Sequence, residues 1–421
     1  MVNEVAKELF NEISKIPCIN SHSHLFPEKD RLSQKVDALV FFQHAYPAAD
    51  LASAGMSDVN MKKALIPGLP LDERWQIFEP YWKRIRLTGY SQSIIESFRD
   101  LFGYYELSAD TIGPISEAIR KNSKPGFYED ILKSKSNIAI SLMNMDDLVD
   151  VDRSLFIPLP RLNRFSMIHS RDQIHAIEKD YDVSINSLED HINTIRIVCE
   201  KWKNSVVAGV KMSQSYHRRM DFKERKKTDA DAIYNKILEG SYSGLESEEG
   251  RLLEDYLVFE CCRIASEADL AIQFHLGMGA GNWRSLEGAS PAPIIELLNA
   301  FRNARFDFSH SGYPYLREGA VLAKTFPNVF LDMSWIHIIS PIGSRYALKE
   351  WLRMVPYNKI IGFGDDLQFV ETVYGHLKIA RQNVAVVLAE MIQESLISES
   401  IALDVAKAIF YDNPSWLYRF F

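Results

Sequence analysis

Eight short apolar segments recur along this chain, around residues 16–22, 137–143, 154–160, 206–212, 270–275, 305–309, 329–333 and 360–364. Several are continuously apolar rather than alternating, as in Val206-Val-Ala-Gly-Val and Val329-Phe-Leu-Asp-Met. An unbroken apolar run of strand length suits a parallel strand covered on both faces. Apolar residues at helical spacing lie between most of them, over 187–202, 246–267, 293–302 and 345–354. Strand and helix alternating in this way predict an α/β fold, a (β/α)8 TIM barrel. The connection between the second and third segments is short, so that unit departs from the pattern. Beyond the eighth segment, 371–395 and 398–411 read as helices that complete and cap the barrel.

The largest irregularity lies between the first two strands. Residues 26–136 hold several helical stretches and no convincing strand, with Trp75, Phe78, Tyr81, Trp82, Ile85, Phe98, Leu101 and Phe102 as apolar positions. We read them as a helical insertion with its own small core, within one barrel unit spanning 1–421. An insertion after a barrel strand emerges at the catalytic face, so a lid over the mouth is expected.

Composition narrows the function. The chain has 421 residues, a formal net charge of -8 and 47% hydrophobic residues. The acidic balance argues against general nucleic-acid affinity. No apolar run approaches the ~18–20 residues of a membrane span. The N-terminus lacks a basic region followed by an apolar one, so no signal peptide is expected. Cys18, Cys199, Cys261 and Cys262 form no spaced framework, which suits a reduced cytoplasmic protein.

The ends of the predicted strands carry the chemistry. His22 and His24 close the first, and side chains two apart on a strand point the same way. His275 ends the fifth, His310 the sixth and Asp365 the eighth. A barrel of this type places its active site at the C-terminal ends of its strands. Nitrogen and oxygen ligands with an open position suit a divalent metal, zinc first and manganese second, as one or two ions. His44, His169, His175, His191 and His376 lie in helical or loop contexts and read as structural. His217 and His337 follow strands and stand closer to a pocket role.

These elements resemble the amidohydrolase superfamily: His-x-His after strand one, His after strands five and six, Asp after strand eight. Phe306-Asp-Phe-Ser-His-Ser-Gly-Tyr-Pro-Tyr-Leu-Arg-Glu-Gly-Ala and Val329-Phe-Leu-Asp-Met-Ser-Trp are similar to the amidohydrolase-2 group. Tyr374-Gly-His-Leu-Lys-Ile-Ala-Arg resembles the branch fused to glutamine synthetase, and the long first insertion resembles uronate isomerases. The resemblance implies His22, His24, His275 and Asp365 as metal ligands. His310 would contact the metal or polarise the substrate. The usual Gly-Ser-Asp-like sequence after strand eight reads Gly364-Asp365-Asp366 here; Asp365 is taken as the inner carboxylate, and a register slip would exchange the two.

Lys211 ends strand four. It has three readings: a carbamylated metal bridge, as the resemblance to binuclear members of that superfamily implies, an ammonium that binds a substrate carboxylate, or a structural ion pair. Arg161, Arg164, Arg218 and Arg219 add positive charge near the mouth and favour an acidic substrate. Tyr216, Trp283, Tyr313 and Trp335 are aromatic candidates for the rim. Gly277-Met-Gly-Ala-Gly lacks dinucleotide spacing, and no Gly-x-Ser-x-Gly is present.

The function expected is metal-dependent hydrolysis of a small carboxylated amide, ester or lactone. Asp365 and His310 are the catalytic residues; Lys211, Arg164, Arg218, Tyr216 and Trp335 bind substrate. The alternative is a uronate isomerase or a metal-dependent decarboxylase, and a metal-free scaffold is the non-enzymatic reading. The partner expected is a small acidic molecule, with no nucleic acid and no membrane; a homo-oligomer is compatible with the sequence.

Overall fold

The computed structural model describes residues 2–242, 244 and 247–420. All eight predicted strands form: β1 (Cys18–Ser23), β2 (Ile138–Met145), β3 (Phe156–Pro160), β4 (Gly209–Met212), β5 (Ala271–Gly277), β6 (Phe306–Tyr313), β7 (Val329–Asp332) and β8 (Ile360–Ile361). Each pairs in parallel with the next within the runs β1 to β3 and β4 to β8. A parallel bridge between Arg161 and Lys211 joins β3 to β4. Ser21 N–H donates to Phe363 O (3.0 Å) and Asp366 N–H to His22 O (3.0 Å), which brings the chain beyond β8 back to β1. The barrel is thus closed, and the (β/α)8 expectation is borne out. Every residue of β1, β4, β5 and β7 is buried, as the unbroken apolar runs require.

Helices follow the apolar spacing, with local chemistry setting their starts. Ser187 accepts from Asp190 N–H and Ser398 from Ile401 N–H, each satisfying an amide left free in a first turn. The helix expected over 246–267 runs Glu248–Glu267, Ser247 capping it; Glu246 lies outside the described residues. The 146–155 connection between β2 and β3 contains no helix, as its length foretold.

Between β1 and β2 the described chain is helical, with no strand. Leu39, Phe41, Phe42, Phe78, Trp82, Phe98 and Ile115 gather in a second apolar cluster, to which the barrel lends Phe369. Two glycines set how closely this segment sits on the barrel. A Cβ on Gly89, at the start of the Gly89–Phe102 helix, would stand 2.0 Å from Ile338 O. One on Gly375, in the Val370–Gln393 helix, would stand 1.9 Å from Ser93 O. Any larger residue would force the two layers apart. No helix among the described residues is long and apolar enough to cross a membrane. The four cysteines are free and buried.

Candidate metal centre and active-site cleft

The end of β1 delivers two imidazoles to one point. His22 Nε2 and His24 Nε2 lie 3.2 Å apart, and Asp366 Oδ1 is 3.1 Å from the first and 3.3 Å from the second. A tetrahedral zinc ion with ligands at about 2.0–2.1 Å has ligand atoms about 3.4 Å apart. The triangle therefore fits a divalent cation, and His22, His24 and Asp366 form the one such group found among the described residues. Protonation agrees with this fit. His22 Nδ1 is 2.9 Å from Gln273 Oε1, an atom that can only accept, so Nδ1 carries the hydrogen and Nε2 presents a lone pair. Burial, followed by the charge of Lys211, holds His22 well below the ordinary histidine range, so it is neutral.

Asp365 was the expected inner carboxylate, and the structure corrects this. Asn20 Nδ2 donates to Asp365 Oδ2 (2.5 Å), the Leu367 amide donates to Oδ1 (2.7 Å), and the Asp365 amide returns a bond to Asn20 Oδ1 (2.9 Å). The side chain is clamped inside the barrel wall, and burial raises it to about 7. Asp366 turns toward the histidines because its φ is 52°, in the left-handed region. His310 (64°), Ser311 (48°) and Trp335 (65°) share that region at the same rim. Such backbone costs on the order of 1–2 kcal/mol per residue and gathers where side chains must be aimed against local preference.

His275 and His310 form a separate pair. His310 Nδ1 donates to Ser334 O (3.0 Å), leaving Nε2 bare to accept from His275 Nδ1 (3.1 Å). His275 Nε2 is then buried without a hydrogen-bond partner. His275 stands outside the tight triangle, which corrects its expected place among the closest ligands. Burial depresses both, His310 to about 4.

A cleft of about 430 Å³ opens in front of the triangle, lined by His24, Asp366, His44, Tyr46, Arg161, Tyr216 and His217 among others. His44 was read as structural; it sits here instead, at the head of the Ala45–Ser53 helix of the insertion. Burial lowers it to about 4, so it is neutral. Tyr46, two residues on, donates its hydroxyl to Asp366 Oδ2. Its ring stacks on Tyr90 at 5.3 Å and meets Trp335 at 5.0 Å. Sequence reasoning missed Tyr46; the available signal was a histidine and a tyrosine two apart in an insertion that emerges at the catalytic face. Tyr216 covers the His275 ring at 4.5 Å, and Trp335 is buried behind His310 at 5.5 Å. Trp283 is wholly exposed, and His337 is buried with its Nε2 on Gly362 O (3.0 Å).

The cations redistribute. Arg218 was expected to bind substrate, but its guanidinium is buried against Asp255 (2.7 Å) and Glu254 (3.4 Å). Arg164 pairs with Asp180 (2.7 Å) and lies over the Phe165 and Tyr181 rings. Neither lines the cleft. Lys211 does not line it either: buried beneath His22, it donates to Gln273 Oε1 (2.7 Å), which removes it as a carboxylate clamp. Arg161 is the guanidinium in the cleft, bonded to Asp146 (2.9 Å) with its Nε unpartnered.

Comparison with known proteins adds to this geometry. Residues 243–420 match the family model described as Amidohydrolase. The closed barrel, with His22, His24 and Asp366 at its strand ends, agrees with that match over the C-terminal part of the chain. It is similar to the uronate isomerase of Phenylobacterium zucineum (strain HLK1), 23% identical over 459 residues that cover 99% of this chain and 94% of that protein. The crystal structure of glucuronate isomerase from Caulobacter crescentus superposes with a TM-score of 0.82 at 18% identity, covering 99% of this chain and 94% of the other. A shorter likeness, 27% over 177 residues, joins 41% of this chain to 20% of protein fluG of Emericella nidulans. The hydrolase expectation is therefore corrected: the curated relatives that match the chain along its length are isomerases.

Proposed function

We propose that this protein is a metal-dependent isomerase of a uronate-type sugar acid, converting aldose and ketose forms. The observation that carries this reading is likeness to uronate isomerases over 99% of the chain. The cleft supports it, offering a cation site, a neutral histidine, a tyrosine and an arginine to one small polar ligand. His22, His24 and Asp366 would hold a divalent ion, zinc or manganese, which polarises the substrate carbonyl and hydroxyl when bound.

The reaction moves hydrogen without cleaving the carbon skeleton. A proton leaves carbon 2 and one arrives at carbon 1, while the hydroxyl proton passes from oxygen 2 to oxygen 1. Asp366, held as a carboxylate, accepts and returns the carbon proton. Tyr46 donates to the same carboxylate and relays protons at the oxygen side. His44, neutral across the physiological range, accepts or donates a hydrogen bond there without a charge change. Arg161 takes the substrate carboxylate at the far end through its outer nitrogens. Tyr216 supplies a flat wall.

The test is proton NMR of a hexuronate panel in deuterium oxide with zinc- or manganese-loaded protein. Ketose product is expected, with deuterium at carbon 1 to the extent that the proton held on Asp366 exchanges with solvent before its return. No conversion of any hexuronate by protein that demonstrably holds its metal would sink the reading.

A further inference from the structure

A polar column runs through the barrel interior, from the metal triangle to the C-terminal end of the chain. Gln273, on β5, has no exposed surface. Its Nε2 donates toward Ser21 O (3.0 Å), Asp307 Oδ2 (2.7 Å) and Tyr418 Oη (2.8 Å). Its Oε1 accepts from Lys211 Nζ (2.7 Å) and His22 Nδ1 (2.9 Å). Tyr418 ends the Asn413–Tyr418 helix and packs with Leu142, Leu159, Ala208 and Phe330 in the small apolar cluster of the barrel. Its hydroxyl donates to Asp307, so its lone pair is free for the Gln273 amide. Asn413 Nδ2 ties the same helix to β8 through Ile360 O (2.7 Å).

An amide can sit two ways round, and only one leaves His22 able to bind a cation. Reversed, Gln273 would set its oxygen against Ser21 O and the Asp307 carboxylate, and its NH2 against His22 Nδ1. Nδ1 would then accept, the ring hydrogen would move to Nε2, and the lone pair facing His24 and Asp366 would be lost. We propose that Gln273 is a positioning residue for the metal site: Ser21 O, Asp307 and Lys211 orient its amide, and the amide fixes the tautomer of His22. This rests on the cation site of the proposed function but not on its reaction.

Full-length Tyr418→Phe and Gln273→Met, compared with the parent, provide the test. Zinc affinity is read by chelator competition, and the His22 tautomer by nitrogen-15 histidine NMR of the metal-free proteins. Loss of a group bonded to a ligating histidine weakens metal binding about 10–100-fold. Gln273→Met is expected within that range, while Tyr418→Phe, which leaves Ser21 O, Asp307 and Lys211 on the amide, should stay near the parent. In Gln273→Met the His22 ring should show both tautomers where the parent and Tyr418→Phe show hydrogen on Nδ1 alone; a merely structural contact would not move that signal. Parent-like zinc affinity with one unchanged tautomer in Gln273→Met overturns the proposal. So does a parent whose His22 carries its hydrogen on Nε2. If Gln273→Met fails to fold, the parent's tautomer decides alone. A parent that binds zinc tightly yet converts no uronate would count against the isomerase reading and leave this inference standing.

Discussion

The two sides of the barrel mouth use histidine differently. At β1 and the turn after β8, three ligand atoms converge within 3.1–3.3 Å of one another. Across the mouth, at β5 and β6, His275 and His310 spend a hydrogen bond on each other, 3.1 Å long. Both pairs sit at strand ends, and all but the half-buried His24 are buried. What separates them is the acceptor behind each ring. Gln273 behind His22 forces its lone pair outward; Ser334 O behind His310 forces its lone pair toward His275. Strand position brings a histidine to the mouth, and its second nitrogen decides what it does there.

The most severe test of this contrast removes one ligand from each side. His24→Ala and Asp366→Asn should lose bound metal and at least about 10³-fold in activity, since second-sphere losses alone cost about 10–100-fold in affinity. His275→Asn should retain its metal. Metal content after dialysis reads both, and equal loss in all three would merge the two sides into one centre.

Next in size are the insertion residues. Tyr46→Phe and His44→Ala should lower kcat about 10²–10³-fold, in the range of lost proton-transfer assistance, with metal content unchanged. Loss of metal from His44→Ala would make it a ligand.

Arginines sharpen the contrast at the rim. Arg161→Met should raise KM about tenfold or more and leave kcat nearly alone. Arg218→Met should leave KM unchanged and destabilise the fold by about 3 kcal/mol, because it strands the buried Glu254 carboxylate and leaves Asp255 to Arg225 alone. Steady-state kinetics and denaturant titration separate the two; a KM effect in Arg218→Met would return that residue to the cleft.

The mildest test concerns a histidine that serves packing. His191 is buried with Nε2 on Phe165 O (2.8 Å), and burial lowers it to about 4. Between pH 6.5 and 4 the unfolded chain binds the proton and the folded one does not. Stability is therefore full above about pH 6.5 and falls as pH drops toward 4, by at most about 1.4 kcal/mol per pH unit. His191→Asn should flatten that slope by up to one proton, read from urea midpoints across the window.

The barrel was legible because continuous apolar runs such as 206–210 admit few other folds, and all eight segments became strands. His22 and His24 were legible for the same reason: their strand carries them. Asp366 was not. β8 has only two residues, Ile360–Ile361, and beyond it side chains no longer alternate, so register could not be counted forward. The third place in Gly364-Asp365-Asp366 was the better guide. Arg164 and Arg218 misled because their acidic partners, Asp180 and Asp255, lie 16 and 37 residues away. Tyr46 reaches Asp366 across 320 residues of sequence, a contact made only when the insertion docks.

That docking divides the enzyme's equipment by origin. The triangle that could hold a cation is built wholly from the barrel, while His44 and Tyr46 arrive on an appended segment. The scaffold is thus a socket with power already wired, and the segment is the tool plugged into it. Exchanging residues 26–136 for another insertion would leave the triangle of His22, His24 and Asp366 intact and take His44 and Tyr46 out of the cleft.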